Sequence, residues 1–181
     1  MDMNQLEELY LRRQSCRSFN AEKPVSDELL AKICNLACLS PSACNAQPWK
    51  LAVVTGEKTK EIAKSVQGLG MNKFASDVPA FIAIIEGKSN LTAKLGSRIK
   101  DNEFTQNDVG MMVAHLVLAA ESAGLATCIL GWRNEEKLRE ILGLKEKERV
   151  PLVVAVGYAT DGYDIRPKKR KPTEETVTFI R

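Results

Sequence analysis

Apolar positions along the chain fall into helical spacings and short continuous runs that alternate with one another. From 108 to 124 they recur with the period of an α-helix and include a long uncharged stretch, which predicts a long helix buried on most sides. Continuous apolar runs at 79–86 and 150–158 predict two central strands. Shorter strands are predicted at 50–55 and 127–131, and further helices at 26–40, 57–66 and 134–142. By itself this alternation favours a parallel α/β sheet.

Two segments do not fit into this alternation of helices and strands. Residues 88–103 are polar with little periodicity, which predicts a short or mobile helix and a loop. Residues 176–180 alternate between polar and apolar, which predicts a strand, but no partner strand precedes it locally. We expect such a strand to add to a sheet edge, either of its own chain or of a partner chain.

The composition is that of an ordinary folded domain and excludes several classes of protein. Of 181 residues, 44% are hydrophobic and 27% are charged, which excludes disorder, collagen and a coiled coil. The length supports one core, so we expect one domain with a body at 1–162 and an arm at 163–181. No apolar run reaches the ~18 residues of a membrane helix and no signal-peptide pattern is seen, so we expect a cytoplasmic protein.

Positive charge is concentrated in two short segments. The net charge is +3, and all of the excess lies in the arm, because residues 1–162 carry equal numbers of basic and acidic side chains. A second basic cluster, at 12–19, combines three arginines with two serines. Both clusters suit a small anion such as a phosphate. Taken singly, the cluster at 12–19 could be a solvated helix end, and the arm could be a solvated tail or a localisation signal.

The chain carries little conventional catalytic machinery. His115, the only histidine, lies in the most apolar predicted helix and is expected in the core or an interface. The five cysteines form no Cys-x-x-Cys pair and are expected to be reduced and mostly buried, with no metal site. Neither a Gly-x-Gly-x-x-Gly segment after a strand nor a Walker loop is present. If the protein is an enzyme, we expect a cofactor to supply the chemistry.

Two uncharged segments are candidates for contacting a flat, partly apolar ligand. The loop at 40–49 contains serine, proline, asparagine, glutamine and tryptophan but no charge, although it could also be a packed crossover. Gly131 stands at the end of a predicted strand, and a glycine there lets backbone amides approach a ligand closely, although it could equally form a simple turn.

In sequence order these segments resemble the FMN-dependent nitroreductase superfamily over nearly the whole chain. The most specific feature is the Asn-x-Gln-Pro-Trp motif that ends at Trp49. The motifs that carry the resemblance are RQSCRSF at 13–19, SPSACNAQPW at 40–49, DVG at 108–110, GLAT at 124–127, LGW at 130–132 and KKRKP at 168–172.

The resemblance implies a fold that differs from the one suggested by the alternation of elements. It implies an α+β fold with a mostly antiparallel central sheet flanked by helices, and this expectation replaces the parallel sheet. It also implies a homodimer in which the C-terminal strands are exchanged and two FMN sites lie at the subunit interface. Residues 1–162 would then form the flavin-binding body.

By position, the resemblance also assigns the phosphate end of the flavin. Arg13 and Ser15 are expected to contact the FMN phosphate and ribityl chain, with Gln14 nearby. Lys168 and Arg170 are expected to approach the phosphate from the arm. Arginine suits this role because it can neutralise a phosphate in a bidentate manner.

The remaining assignments concern the isoalloxazine ring. Arg17 is expected near N1 and the C2 carbonyl, and Leu130 and Gly131 are expected to present backbone amides toward N5 and O4. The resemblance also implies that Pro41, Ser42 and Asn45 come from the other subunit and cover the ring. Asn72 and Lys73 lie in a region where it implies further flavin contacts.

These assignments imply an oxidoreductase. NADH or NADPH would pass hydride to flavin N5, and a small oxidised acceptor such as a nitroaromatic or quinone would then take the donor's place, in a ping-pong sequence. One alternative is a flavin-binding protein without steady turnover, such as a carrier, a sensor or a flavin-consuming member. A weaker alternative is a nucleic-acid or localisation role for residues 166–171, although no nucleic-acid partner is expected.

Overall fold

A computed structural model describes residues 2–87 and 104–181. The expected conformation of 88–103 therefore lies outside the described residues. Short 3₁₀ turns occur at Ala43–Asn45, Gly56–Lys58 and Lys73–Asp77. The helices and strands are, in chain order, α1 (Met3–Arg12), α2 (Asp27–Ala37), β1 (Trp49–Thr55), α3 (Thr59–Val66), β2 (Ala80–Glu86), α4 (Phe104–Ser122), β3 (Ala126–Leu130), α5 (Glu135–Leu142), β4 (Leu152–Gly157) and α6 (Thr173–Thr176).

The four strands form one sheet in the order β1-β2-β4-β3, and every neighbouring pair is antiparallel. The expected α+β fold with an antiparallel sheet is confirmed, and the parallel sheet suggested by alternation is wrong. Strands β2 and β3 are parallel to each other but are not neighbours, because the last strand, β4, inserts between them and runs opposite to both. Strands β1 and β2 are neighbours and run antiparallel, although α3 lies between them in the chain.

Both faces of the sheet are buried, which explains the continuous apolar runs at β2 and β4. Phe81, Ala83 and Ile85 pack with α3 and α5 in one core cluster. The intervening residues Ile82 and Ile84 pack with α2 and α4 in a second cluster. A helix layer therefore covers each side of the sheet.

Short polar signals set several helix ends as expected. The Ser26 hydroxyl accepts a hydrogen bond from the Leu29 amide at 3.3 Å and begins α2. Asn134 accepts one from the Lys137 amide at 3.0 Å and begins α5, which ends at Gly143 in the left-handed conformation with φ of 63°.

The predicted strand at 176–180 does not form within one chain. Its first residue belongs to α6, and Val177, Phe179 and Ile180 are exposed. A strand needs a partner to satisfy its backbone groups, and this segment pairs with no strand among the described residues. None of the described helices is both long and apolar enough to cross a membrane.

Candidate functional site

The segment that follows α1 is anchored to the beginning of β3. The Cys16 amide donates to the Thr127 carbonyl at 2.8 Å, and Ser15 and Thr127 form a parallel bridge. The Cys16 side chain is buried, and this burial raises the pKa of its thiol. The buried cysteine thus holds the segment to the sheet, while Arg17, the next residue, is exposed.

The arm returns across this segment and is tied to it by hydrogen bonds. Gln14 donates through Nε2 to the Asp164 carbonyl at 3.0 Å, and its Oε1 accepts from Nε of Arg166 at 3.1 Å. Arg166 also donates to the Ser15 carbonyl, and Lys168 donates to the Arg13 carbonyl, each at 2.6 Å. The two ends of the chain therefore meet at one place.

Between them lies a cavity of about 540 Å³, called here the basic cavity. Six of its nine lining residues are cationic and none is acidic. Its lining is Arg13, Gln14, Ser15, Arg17, Arg166, Pro167, Lys168, Lys169 and Arg170. Burial and then the charges of Arg13 and Arg170 lower the pKa of Lys168, although Glu121 opposes this. A bound anion would relieve this repulsion.

Strand β3 connects the basic cavity to Gly131. Thr127, bridged to Ser15, is four residues from Gly131, a span of roughly 13 Å along a strand. Leu130 is buried and pairs with Val153, whereas Gly131 is exposed. A Cβ built on Gly131 would meet nothing within 4 Å, so a ligand has space to approach its backbone.

The segment that carries Asn72 and Lys73 lies beside Trp132. A Cβ on Gly68 would come within 3.1 Å of the Trp132 indole nitrogen, so glycine permits the close approach of these two segments. Asn72 has a left-handed backbone with φ of 52°, and its side chain donates to the Val66 carbonyl at 2.9 Å. Neither Asn72 nor Lys73 lines the basic cavity.

The loop at 40–49 holds three non-glycine residues in the left-handed region: Cys44, Asn45 and Gln47, with φ between 45° and 52°. Such conformations are costly and concentrate at functional sites. Asp108, a buried residue of α4, accepts a hydrogen bond from the Ala43 amide at 3.0 Å. This contact fixes the loop to the helix.

Hydrogen bonds within the same loop add to that support. The Ser42 hydroxyl accepts from the Gln47 amide, and the Asn45 side chain accepts from that of Gln47, both at 3.0 Å. Pro41, Ser42 and Asn45 do not line the basic cavity in a single chain.

The structure thus brings together only part of the predicted site within one chain. Four residues near the N-terminus meet two from the arm in the basic cavity: Arg13, Gln14, Ser15, Arg17, Lys168 and Arg170. Leu130 and Gly131 lie at the far end of β3. Sequence reasoning left Arg166 out of the site, although it lies in the basic cluster, and it gave Asp108 no role, although an acid in so apolar a helix is a signal.

Two expectations about side-chain burial are not met in full. His115 is exposed on α4, so it does not lie in the core of one chain, and its place in an interface stays a prediction; the helix leaves Met111, Ala114 and His115 uncovered in one chain. Only two of the five cysteines, Cys16 and Cys128, are buried. Periodicity alone cannot distinguish a face covered by the same chain from one left open.

Comparison with known proteins decides the family. The sequence model of the nitroreductase family matches residues 10–73 and 67–158. The chain belongs to the nitroreductase family. The NADH dehydrogenase of Thermus thermophilus is 26% identical over 196 residues, and the match covers 93% of each chain.

Solved structures share the nitroreductase fold. A nitroreductase family protein from Streptococcus pneumoniae superposes with a TM-score of 0.81 at 24% identity, covering 97% of this chain and 100% of the other. A second structure is a point mutant of the FMN- and NADPH-dependent nitroreductase NfnB of Sphigopyxis sp. strain HMH. It superposes with a TM-score of 0.76 at 21% identity, covering 96% of this chain and 97% of the other. The expected nitroreductase-like fold is therefore confirmed.

Proposed function

We propose that this nitroreductase family member is an FMN-dependent oxidoreductase that takes hydride from NADH or NADPH and reduces a small oxidised acceptor such as a nitroaromatic or quinone. Family membership supports the reaction class, and the names of its relatives point to the same donor and cofactor. We expect donor and acceptor to occupy the same place in turn.

The observation that carries the proposal is the basic cavity formed by both ends of the chain. A phosphate monoester carries nearly two negative charges, and charge-assisted hydrogen bonds from arginine are among the strongest available to bind it. Arg13 and Arg170 supply guanidinium groups, and no carboxylate lines the cavity to compete with the ligand. The donor set therefore fits the phosphate end of FMN.

The far end of β3 fits the ring end of the same cofactor. We assign the backbone amides of Leu130 and Gly131 to flavin N5 and O4, and the Arg17 guanidinium to N1 and the C2 carbonyl. A cation at N1 would stabilise the charge that develops as the ring is reduced. When bound, FMN would supply the hydride chemistry, and the residues of this chain would bind and orient it.

A second copy of the chain would complete the site. A groove of about 380 Å³ beside α4 is mostly apolar and shares Arg13 with the basic cavity. Its other lining residues are Tyr10, Gly110, Val113, Ala114, Val117, Leu118, Ile129 and Leu152. We propose that the partner covers this face and brings its own Pro41, Ser42 and Asn45 over the ring. Asn72 and Lys73 are proposed as further flavin contacts.

The first test is FMN binding. The protein should show a flavin spectrum after purification or after addition of FMN. Arg170→Gln should raise the Kd for FMN about tenfold or more, because a charge-assisted bond to phosphate is lost. Lys171→Gln, outside the cavity in the same arm, is the matched control. Riboflavin, which lacks the phosphate, should bind both variants alike.

The second test is turnover. NADH or NADPH should bleach the bound flavin, and a quinone or nitroaromatic should restore its colour and sustain NAD(P)H oxidation. Binding of FMN without reduction by either donor would reject the oxidoreductase in favour of a flavin-binding protein without turnover. A protein that binds no FMN would contradict the proposal altogether.

A further inference from the structure

The turn that follows β3 (residues 131–134) is held by one arginine. Arg133 donates through Nη1 to the Gly131 carbonyl at 2.9 Å, and its Nε donates to the Val150 carbonyl. Val150 lies two residues before β4, the sheet neighbour of β3. One guanidinium therefore ties the end of β3 to the chain that leads into β4.

Glu135 keeps this arginine in place. Its Oε2 lies 3.4 Å from Nη2 of Arg133, and its Oε1 accepts hydrogen bonds from the Val150 amide and from Nε of Arg149, both at 2.8 Å. Both peptide groups of Val150 are thus bound, its carbonyl by Arg133 and its amide by Glu135. We call this closed set of contacts the Arg133–Glu135 bridge. Both side chains are about four-fifths buried.

The bridge matters because of where Gly131 stands. A glycine has a wide choice of backbone angles, and nothing in the chain within 4 Å would touch a Cβ at this position. Leu130, on one side, is fixed by its pairing with Val153 in the sheet. On the other side, Arg133 fixes the Gly131 carbonyl. Together these contacts restrict the angles on both sides of the Gly131 amide.

We propose that Arg133 is a positioning residue that aims the Gly131 amide at the reacting edge of the flavin, and that Glu135 acts through it. This inference rests on the proposed function, since the flavin is the group at which the amide is aimed. Arg133 itself binds peptide carbonyl groups and is assigned no contact with the flavin. Misplacement of a binding group by about 1 Å can lower a rate about a hundredfold.

The experiment compares two variants that break the bridge with opposite changes of charge, Arg133→Gln and Glu135→Gln. Both should slow reduction of the bound flavin about tenfold or more, while the Kd for FMN changes less than about threefold, since the basic cavity is untouched. The midpoint potential of the bound flavin should shift in the same direction in both variants. A purely electrostatic role would shift it in opposite directions and would overturn the proposal.

A readout without flavin separates this inference from the proposed function. In the flavin-free protein, hydrogen exchange of the amides at 131–132 should be faster in both variants than in the wild type. Arg139→Gln is the matched control, because Arg139 lies 3.8 Å from Glu135 and has no hydrogen bond to Gly131 or Val150. Arg133→Lys keeps the charge but can make only part of the hydrogen bonds. Its exchange rates at 131–132 should lie between those of the wild type and those of Arg133→Gln.

Two results would reject the bridge as a positioning device: exchange and reduction rates in Arg133→Gln equal to those of Arg139→Gln, or full activity in Arg133→Gln with faster exchange. Failure of the wild type to bind FMN would instead reject the proposed function. It would also reject the part of this inference that orients the Gly131 amide toward a flavin. Hydrogen exchange would still show whether the bridge holds the turn.

Discussion

Single residues matter here through the backbone groups that they hold. Asp108, Arg133, Arg166 and Lys168 all have side chains bound to main-chain atoms far away in the sequence. The basic residues could be predicted as anion ligands because their charge and clustering are visible in the sequence. The support given by Asp108 and Arg133 could not be predicted, because their partners lie 65 and 17 residues away.

Glu135 should make stability depend on acid pH. Burial raises the pKa of its carboxyl, but the Arg149 and Val150 hydrogen bonds and the nearby arginines outweigh this, so the net pKa is lowered. A carboxyl with a lower pKa in the folded state stabilises the fold above its unfolded pKa of about 4.3. That contribution is lost as the pH falls through the folded pKa.

We therefore expect Glu135→Gln to lower the free energy of unfolding at neutral pH, and the difference from wild type to shrink below about pH 4. Urea denaturation at a series of pH values measures it. Glu136→Gln changes the exposed next position of α5. Its free energy of unfolding should depend on pH in the same way as that of the wild type. A difference for Glu135→Gln that persists unchanged to about pH 3 would contradict the linkage.

At the scale of elements, helix ends and central strands were predictable because their signals are local. Ser26, Asn134 and Gly143 set helix ends by contacts within a few residues. No local signal determines the direction of the strands, because it depends on β4 inserting between β2 and β3. The strained loop at 40–49 is likewise an element whose shape depends on a distant helix.

Asp108→Ala should loosen that loop. Loss of the acceptor leaves the Ala43 amide without its bond, worth about 1–3 kcal/mol when buried, so its hydrogen exchange should be about tenfold to a hundredfold faster. Asp108→Asn keeps an acceptor oxygen and should exchange nearly as slowly as the wild type. Equal exchange in the wild type and Asp108→Ala would show that the loop is held by its internal bonds.

At the scale of the whole molecule, one chain leaves several large apolar side chains exposed among the described residues. The α4 face is uncovered, and in the arm Phe179 and Ile180 are 79% and 95% exposed. The proposed homodimer would cover these residues and provide an edge for the segment at 176–180, which has a strand pattern but no partner in its own chain.

Phe179→Ala should therefore weaken the dimer. Burial of one phenylalanine side chain contributes about 1.5–3 kcal/mol. A symmetric dimer loses two of them, so the dimer Kd should rise about a hundredfold or more. Sedimentation equilibrium measures it over a range of protein concentrations. Thr178→Ala, at the adjacent position of the arm, is the control. A wild type that stays monomeric, or a Phe179→Ala Kd that matches the control, would contradict arm exchange.

The sequence by itself determined the helix ends, the buried strands and the two clusters of cations, because capping, periodicity and charge act over a few residues. The strand directions and the meeting of Arg13 with the arm were expected only from the family resemblance over the whole chain, and the tertiary structure alone revealed the contacts by which Asp108 and Arg133 hold distant backbone. Those features depend on which segments become neighbours when both faces of the sheet are buried, and no local pattern carries that choice.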